Sequence, residues 1–357
     1  MEDKVKLERT MTEPEYRALP NVSYSKLSAL DRSPKSLIIN TFEQSEALIY
    51  GSAVDVLLFD GEEVFNKQFA VLTANKPSWG MAKIYEAIMS EIEAQQDDVL
   101  PEPLSTKLED YSDIILRVAR ANSYGDGWHN PTIIKKVVEA CQELYEFTIN
   151  SKGKKLLSPE QYEYAFNSIQ TLKTHEFTKH LFEENDNVDN YYQFPIEWEV
   201  EVNGVKVLMK SLLDILRIDH KNKTIEPKDL KTTGKSVLAF PSSFIEWRYY
   251  LQASSYSDAV RYLIKTHYPQ YISYRILPFE FLVISSKNPT KPLMYKCTEN
   301  DLYVGAYGGT VKSYDREIKG YLELVRDMIW HTENELYNYP KSTYEAKGNL
   351  ELDMFKR

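Results

Sequence analysis

The sequence predicts an α/β or α+β fold with a large helical elaboration on its N-terminal side. Up to about residue 175 the apolar residues recur mostly at helical spacing. From residue 191 the period shortens to strand-like runs separated by turn residues. After these come a long helical stretch, another strand and a closing helix, an order expected of one mixed core rather than of a bundle or a sandwich.

Residues 1–20 are expected as a polar lead-in. VSYSKLSALDRSPKSLIIN (22–40) reads as a short helix begun through Ser23 or Ser25, whose hydroxyls accept from first-turn amides. It stops near Ser33-Pro34, because proline disfavours helical backbone in the residue before it. ALIYGSAVDVLLF (47–59) is a second, apolar helix in which Gly51 permits close packing, and residues 61–72 begin a loop or strand. Helices are expected over 80–98, where Ile84, Ile88 and Ile92 recur at four-residue spacing, over 104–121 and over 132–147. NSYGDGWHNP (122–131) is turn-rich punctuation. Ser158-Pro159-Glu160 starts a further helix running to about residue 175, with serine as cap and proline at the first position. YYQFPIEWEVEV and GVKVLMKSLLDILRI then form a hairpin about Asn203-Gly204. A third strand covers 224–231, one long helix covers 240–268, and strands follow at 279–286 and 292–298. VGAYGGT (304–310) is expected as a hairpin or loop, and 311–337 as a C-terminal amphipathic helix. No internal repeat or low-complexity segment is present.

Composition narrows the functional classes. The chain has 357 residues, 43% apolar and 27% charged, which suits a soluble globular protein. No run approaches the roughly 20 apolar residues of a membrane span. The charged N-terminus lacks the apolar stretch of a signal peptide, so a cytoplasmic location is expected. Cys141 and Cys297 are the only cysteines, too few for a four-cysteine zinc or iron–sulfur site. His175 and His180 do not share a helical face, and no H-E-x-x-H accompanies them. Net charge is −10, yet residues 201–275 hold twelve Lys/Arg against seven Asp/Glu. That +5 window is where a polyanionic partner would be met.

The same window contains the densest chemistry. Asp214 and Asp229 are symmetric about a polar turn centred between Lys221 and Asn222, so antiparallel pairing would set them opposite one another. Lys231 shares a strand face with Asp229. Two carboxylates and an ammonium can serve hydrolysis assisted by Mg²⁺ or Mn²⁺, whose ligands are oxygens. The Leu230 carbonyl is a further candidate ligand, and the Lys231 ammonium would stabilise transition-state charge. On the following helix Arg248, Gln252 and Tyr256 recur at four-residue spacing on one face. Gln252 would hold Lys231 or phosphate, and Tyr256 would brace the carboxylates or touch DNA. Arg248, with Lys210 and Lys235, is a candidate phosphate contact.

D…DxK…QxxxY resembles the signature of the PD-(D/E)XK nuclease superfamily in its RecB-type branch. The N-terminal SYSKLSALDRSP, followed by Gly51-Ser-Ala-Val-Asp55 where that branch has Gly-x-x-x-His, adds to the likeness. Within the branch the chain is most similar to the exonuclease VIII (RecE-like) phage exonucleases, over roughly residues 22–60 and 158–300. The resemblance implies a restriction-endonuclease-like core, a mixed central sheet flanked by helices. It implies one nuclease-like domain over 21–357, with 75–157 a helical insertion, 158–300 the catalytic core and 301–357 a C-terminal helical segment. It implies Asp55, Asp214, Asp229 and the Leu230 carbonyl as ligands of Mg²⁺ or Mn²⁺, Lys231, Gln252 and Tyr256 as site residues, and no iron–sulfur cluster. The implied activity is 5′–3′ exonucleolysis of linear double-stranded DNA ends in phage-type recombination, with a single-strand annealing protein as partner and a homo-oligomeric ring. A silent DNA-binding module of the same fold and an endonuclease are the alternatives. The chain departs from the family pattern in that the proline of the superfamily name is not adjacent to Asp214, and in two replaced residues. Asp55 replaces the first-motif histidine, and Gln193 stands where an acidic residue is often found early in the first strand.

Overall fold

The computed structural model describes residues 6–39, 45–75, 77–95, 104–311 and 316–350. Parts of the expected lead-in (1–5), of the first helix (40), of the helix at 80–98 (96–98) and of the C-terminal segment (312–315 and 351–357) lie outside the described residues. The chain forms two compact units, Met1–Asp60 with Tyr164–Arg357, and Gly61–Glu163.

In chain order, α1 (Glu13–Ala18), α2 (Tyr24–Arg32) and α3 (Glu46–Phe59) belong to the first unit. The second unit holds α4 (Glu62–Gln68), β1 (Phe69–Val71), α5 (Trp79–Ala94), α6 (Ser112–Ala121), α7 (Asn130–Asn150) and β2 (Lys155–Leu157). The boundary between the units falls within α8 (Pro159–Thr174). The rest returns to the first unit: β3 (Val188–Val202), β4 (Val205–Asp219), β5 (Thr224–Thr233), α9 (Phe240–Glu246), α10 (Tyr249–His267), β6 (Arg275–Ile276), β7 (Glu280–Ser285), β8 (Leu293–Lys296), α11 (Glu299–Tyr307), β9 (Gly309–Val311), β10 (Arg316–Ile318), α12 (Tyr321–Asn334) and α13 (Lys341–Glu345). No helix among the described residues is long and apolar enough to cross a membrane.

The second unit is a small helical body. Ile88, Ile115, Ile133, Val137 and Tyr145 from α5, α6 and α7 fill its interior, and β1 pairs parallel with β2 at its edge. The expected insertion 75–157 lies within it.

The first unit is built on a mixed sheet in the order β3-β4-β5-β7-β8, with β6 beside β5. The three strands of the meander run antiparallel, β5 and β7 run parallel, and β7 and β8 antiparallel. A parallel pair needs a crossover connection, usually a helix, and α9 and α10 supply it. The expected fold class, a mixed central sheet flanked by helices, is the architecture observed. α10 looks polar in sequence, yet Gln252, Ala253, Ser254, Ser255, Tyr256 and Ser257 are all buried. Ser255 and Ser257 return their hydroxyl protons to the helix's own carbonyls, to Leu251 at 2.8 Å and Ala253 at 2.7 Å, while Ser254 donates to the Leu302 carbonyl of α11 at 2.6 Å. Satisfied in this way, small polar residues can lie against the sheet without an unmet donor.

Five sequence expectations change. The lead-in contains α1, whose Thr12 N–H donates to the Glu15 carboxylate at 2.7 Å, and it buries Leu7 and Tyr16. Residues 61–72 are α4 followed by β1. The helix expected over 240–268 is two helices, broken where Arg248 takes a left-handed φ of 59°. VGAYGGT is half helix: α11 runs through Val304–Tyr307, started by a capping box in which the Thr298 hydroxyl accepts from Asp301 N–H at 3.1 Å. The C-terminal helix begins only at Tyr321, because Gly309–Val311 pairs with Arg316–Ile318 ahead of it.

Gly305 is the residue that lets α11 lie against α10. A Cβ there would stand 2.3 Å from the Tyr250 carbonyl oxygen. Gly305→Ala should therefore cost about 2 kcal/mol or more, the scale of an overpacked core. A lowered denaturant midpoint checks this, and an unchanged midpoint would refute the contact.

Candidate active site

The site begins with an irregularity in the central hairpin. β3 and β4 pair in one register on both sides of Gln193, Tyr192 with Ile215 and Phe194 with Leu213. Gln193 itself has a left-handed φ of 47°, a conformation that costs a non-glycine residue of order 1–3 kcal/mol. Residues three apart on a regular strand face opposite ways. Here the Tyr191 and Phe194 rings meet at 5.6 Å, and Leu213 and Leu216 enter the same core. Side-chain alternation therefore reverses at Gln193 and Asp214. On the other side, the β4–β5 ladder runs from Asp219↔Thr224 to Ile215↔Lys228 and stops. These pairs lie on the register that sets Asp214 against Asp229, and the ladder ends where that pair would come next.

The Asp214 carboxylate takes over where the ladder stops. Its Oδ2 accepts the Leu230 N–H at 2.7 Å, and its Oδ1 accepts Gln193 Nε2 at 3.0 Å. Leu230, expected to offer its carbonyl, enters the contacts through its N–H. On β5, Asp229 and Lys231 form a buried ion pair. Gln252 of α10 donates Nε2 to Asp229 Oδ1 at 2.5 Å. The Lys231 ammonium lies 4.8 Å over the Tyr249 ring and 5.9 Å from that of Phe281, which pairs across from Asp229.

Burial, then the charge of Asp229, pushes the Asp214 carboxyl well up. The same two causes in the same order push Asp55 of α3 up to about 7. For Lys231 burial is the largest single effect and pulls downward, but the Asp229, Tyr24, Tyr249 and Asp214 groups together outweigh it and hold the ammonium well above its ordinary range. Three carboxyls thus feel one another around a single ammonium. Glu13 and Arg17 of α1 also act on Asp55, and they pair with each other at 2.9 Å.

The other predicted residues have different places. Tyr256 is buried one turn along α10 from Gln252, with its ring edge-on to Tyr24 at 5.6 Å. It braces α2 against α10. Arg248 pairs with Asp31 of α2. Lys235 forms an exposed pair with Glu246 at 2.9 Å. Lys210 is engaged within the protein. Its ammonium donates to the carbonyls of Tyr16, Arg17 and Leu19 at 3.0, 3.2 and 2.7 Å. An ammonium has three donors, and all three serve the C-terminal end of α1.

Three residues of the site were not among the expected ones. Gln193 was legible as the register partner of Asp214 across β3. Tyr249 stands three residues before Gln252, hence on the same helical face. Tyr24, pushed up to about 12 by burial, feels the charges of Lys231 and Asp229, and nothing in its local sequence marks it.

The polar donors available to a cation are oxygens, which suits a hard divalent ion rather than zinc or iron. Gln252 Oε1 is buried without a hydrogen-bond partner, and Asp229 Oδ2 is met by the Lys231 ammonium. Among the described residues no three His, Cys, Asp or Glu side chains gather closely enough to cage an ion. Mg²⁺, however, is commonly held by one or two carboxylates and completed by water and substrate phosphate. By donor chemistry the residues fit such an ion.

No protein-family model and no curated protein matches the chain. Among solved structures, it is similar to a Eubacterium rectale protein described provisionally as an exonuclease, with a TM-score of 0.45 at 12% identity, covering 96% of this chain and 95% of that one. A second solved chain, known by a locus name alone, gives a TM-score of 0.24 at 13% identity over 74% of this chain and 89% of its own.

Asp55 is half-buried, and a carboxyl raised in the folded state favours folding when protonated, a contribution that is lost as pH rises from about 4 towards 7. In EDTA, Asp55→Asn should therefore raise the melting temperature at pH 8, by on the order of 1–3 kcal/mol of stability, and change little at pH 4. Equal melting shifts at both pH values would disprove the burial of that charge. Lys210→Ala should cost about 1–3 kcal/mol of stability through the stranded carbonyls, measured by urea unfolding. A loss of DNA affinity with no loss of stability would return Lys210 to the phosphate contacts.

Proposed function

We propose that the chain is a divalent-cation-dependent deoxyribonuclease acting on DNA ends. The observation that carries this reading is that Asp214, bonded to the Leu230 N–H, adjoins the Asp229–Lys231 ion pair of the next strand, with Gln252 fixing one oxygen of Asp229. Mg²⁺ or Mn²⁺ held by Asp214 and Asp229, with Asp55 and the Leu230 carbonyl completing the set, would polarise the scissile phosphate and activate a water. The protein's own part is positional and electrostatic. Lys231 stays protonated, and its ammonium can meet a non-bridging phosphate oxygen as charge builds there. Gln252 keeps Asp229 from rotating away, and Gln193 does the same for Asp214. The aromatic faces of Tyr249 and Phe281 limit water around the ammonium, which strengthens its attraction for phosphate.

The family resemblance, rather than the geometry, supplies the finer reading: exonucleolysis of linear duplex DNA in the 5′–3′ direction, in phage-type recombination, in a homo-oligomer, handing a single strand to an annealing protein. One observation favours the silent DNA-binding module as a second reading. Lys231 already neutralises Asp229, and the three carboxylates are not gathered into a cage.

Linear and circular duplex DNA, each with Mg²⁺, Mn²⁺ or EDTA, separates these readings. Loss of linear DNA alone, blocked by EDTA, is the expected result. Nicked circles would indicate an endonuclease, and binding without cleavage a silent module. Lys231→Ala should lower cleavage at least ~100-fold, the scale of losing one transition-state charge contact, with an unchanged circular dichroism spectrum. Wild-type cleavage by that variant would sink the site assignment.

A further inference from the structure

Two adjacent residue pairs tie the end of α2 to the joint between α9 and α10. Asp31 pairs with Arg248, and their side chains are 18% and 15% exposed. Next to them, the Arg32 guanidinium lies 5.5 Å over the indole of Trp247, which is 46% exposed. The first pair is a half-buried rivet and the second faces solvent. The rivet explains why Arg248 can hold a left-handed φ of 59°, a strained backbone that persists only where its surroundings over-determine it. That backbone ends α9 and turns Trp247 outward.

The place of this pair is what gives it meaning. Trp247 is two residues, no more than about 7 Å of chain, from Tyr249, whose ring lies 4.8 Å from the Lys231 ammonium. From the α2 side, Tyr24 feels the Lys231 charge. On the α10 side the exposed pair is therefore a chain neighbour of the ring that covers the Lys231 ammonium, while Tyr24 stands at the opposite end of α2 from Arg32. Similar lysine–tryptophan contacts, Lys83 with Trp79 and Lys136 with Trp128, occur in the helical unit, but neither is riveted to strained backbone beside buried carboxylates. Arg32 makes no hydrogen bond or ion pair with any described residue, so its guanidinium edge is open to an anion. Lys210, Arg248 and Lys235 are all engaged within the protein.

We infer that Trp247 and Arg32 form a shelf for one unpaired nucleotide at a DNA strand end, the base stacking on the indole and its phosphate meeting the guanidinium. This rests on the nuclease reading above and names its substrate class. Aromatic side chains stack on bases of any sequence, because every base has a π-face. A base inside a duplex is covered on both faces, whereas a frayed or single-stranded terminal base is not. The shelf thus selects ends that are already open by one nucleotide.

The test uses the full chain with Lys231→Ala to block cleavage, Mg²⁺, and a duplex whose unpaired terminal base is 2-aminopurine. Binding should quench the 2-aminopurine emission. Adding Trp247→Ala should remove that quench and weaken binding about tenfold, the scale of one lost stacking contact, while Trp247→Phe restores most of both. Arg32→Ala should weaken binding by a similar factor and flatten its salt dependence. Quenching and affinity unchanged by Trp247→Ala would overturn the shelf and leave the nuclease reading standing. If the Lys231→Ala chain binds no DNA and the wild type cleaves none, the nuclease reading falls and the shelf falls with it.

Discussion

The site depends on one carboxylate doing the work of a strand. Asp214 sits where the β3–β4 pairing skips Gln193 and the β4–β5 ladder has ended. Its two oxygens hold the Gln193 amide on one side and the Leu230 N–H on the other. Without that carboxylate the Leu230 amide would be buried and unpaired, a loss as large as that of any core hydrogen bond. The opening of the ladder is what leaves room for side-chain chemistry in the middle of a sheet. The left-handed backbone at Gln193 accompanies the reversal of side-chain alternation there, so that both ends of each long strand still present apolar residues to α10.

Around that opening the electrostatics are unbalanced. Asp55, Asp214 and Asp229 share one ammonium, and burial makes their mutual repulsion costly. The fold tolerates this because Gln252, Gln193 and the Leu230 amide supply neutral donors. A divalent cation or a protonated carboxyl would relieve the repulsion, which is how such a site acquires both metal affinity and pH dependence. The basic window around it gives a less direct signal than its composition suggests. Lys210 caps α1, Arg248 rivets α2, and Lys235 pairs with Glu246, whereas Arg32, a cation from outside the window, lies open over the Trp247 indole.

Local signals carried a good part of this in the sequence. The hairpin about Asn203-Gly204, the symmetric spacing of Asp214 and Asp229, and the shared strand face of Asp229 and Lys231 all follow from period-two geometry. Gln252 and Tyr256 follow from the helical repeat. Where the reading failed, a distant contact had overruled a local pattern. Val304–Tyr307 looked like a glycine loop, but Gly305 is there for the close approach to the Tyr250 carbonyl. The run 240–268 looked like one helix, but Arg248 is turned out of it and pinned by a residue 217 positions earlier.

The sequence by itself determined the sheet-plus-helix class, the register of the central hairpin, and the carboxylate–carboxylate–lysine order, because each is written in the spacing of neighbouring residues. The tertiary structure alone decided that Gln193 and Leu230 hold Asp214, that the Tyr249 and Phe281 rings flank Lys231, and that Asp55 lies close enough to Asp229 for the two to repel. These are contacts between segments far apart in the chain, and they exist only once the apolar faces of α2, α3 and α10 are buried. Burial also sets their strength, since charges that would barely notice one another in water dominate inside the protein.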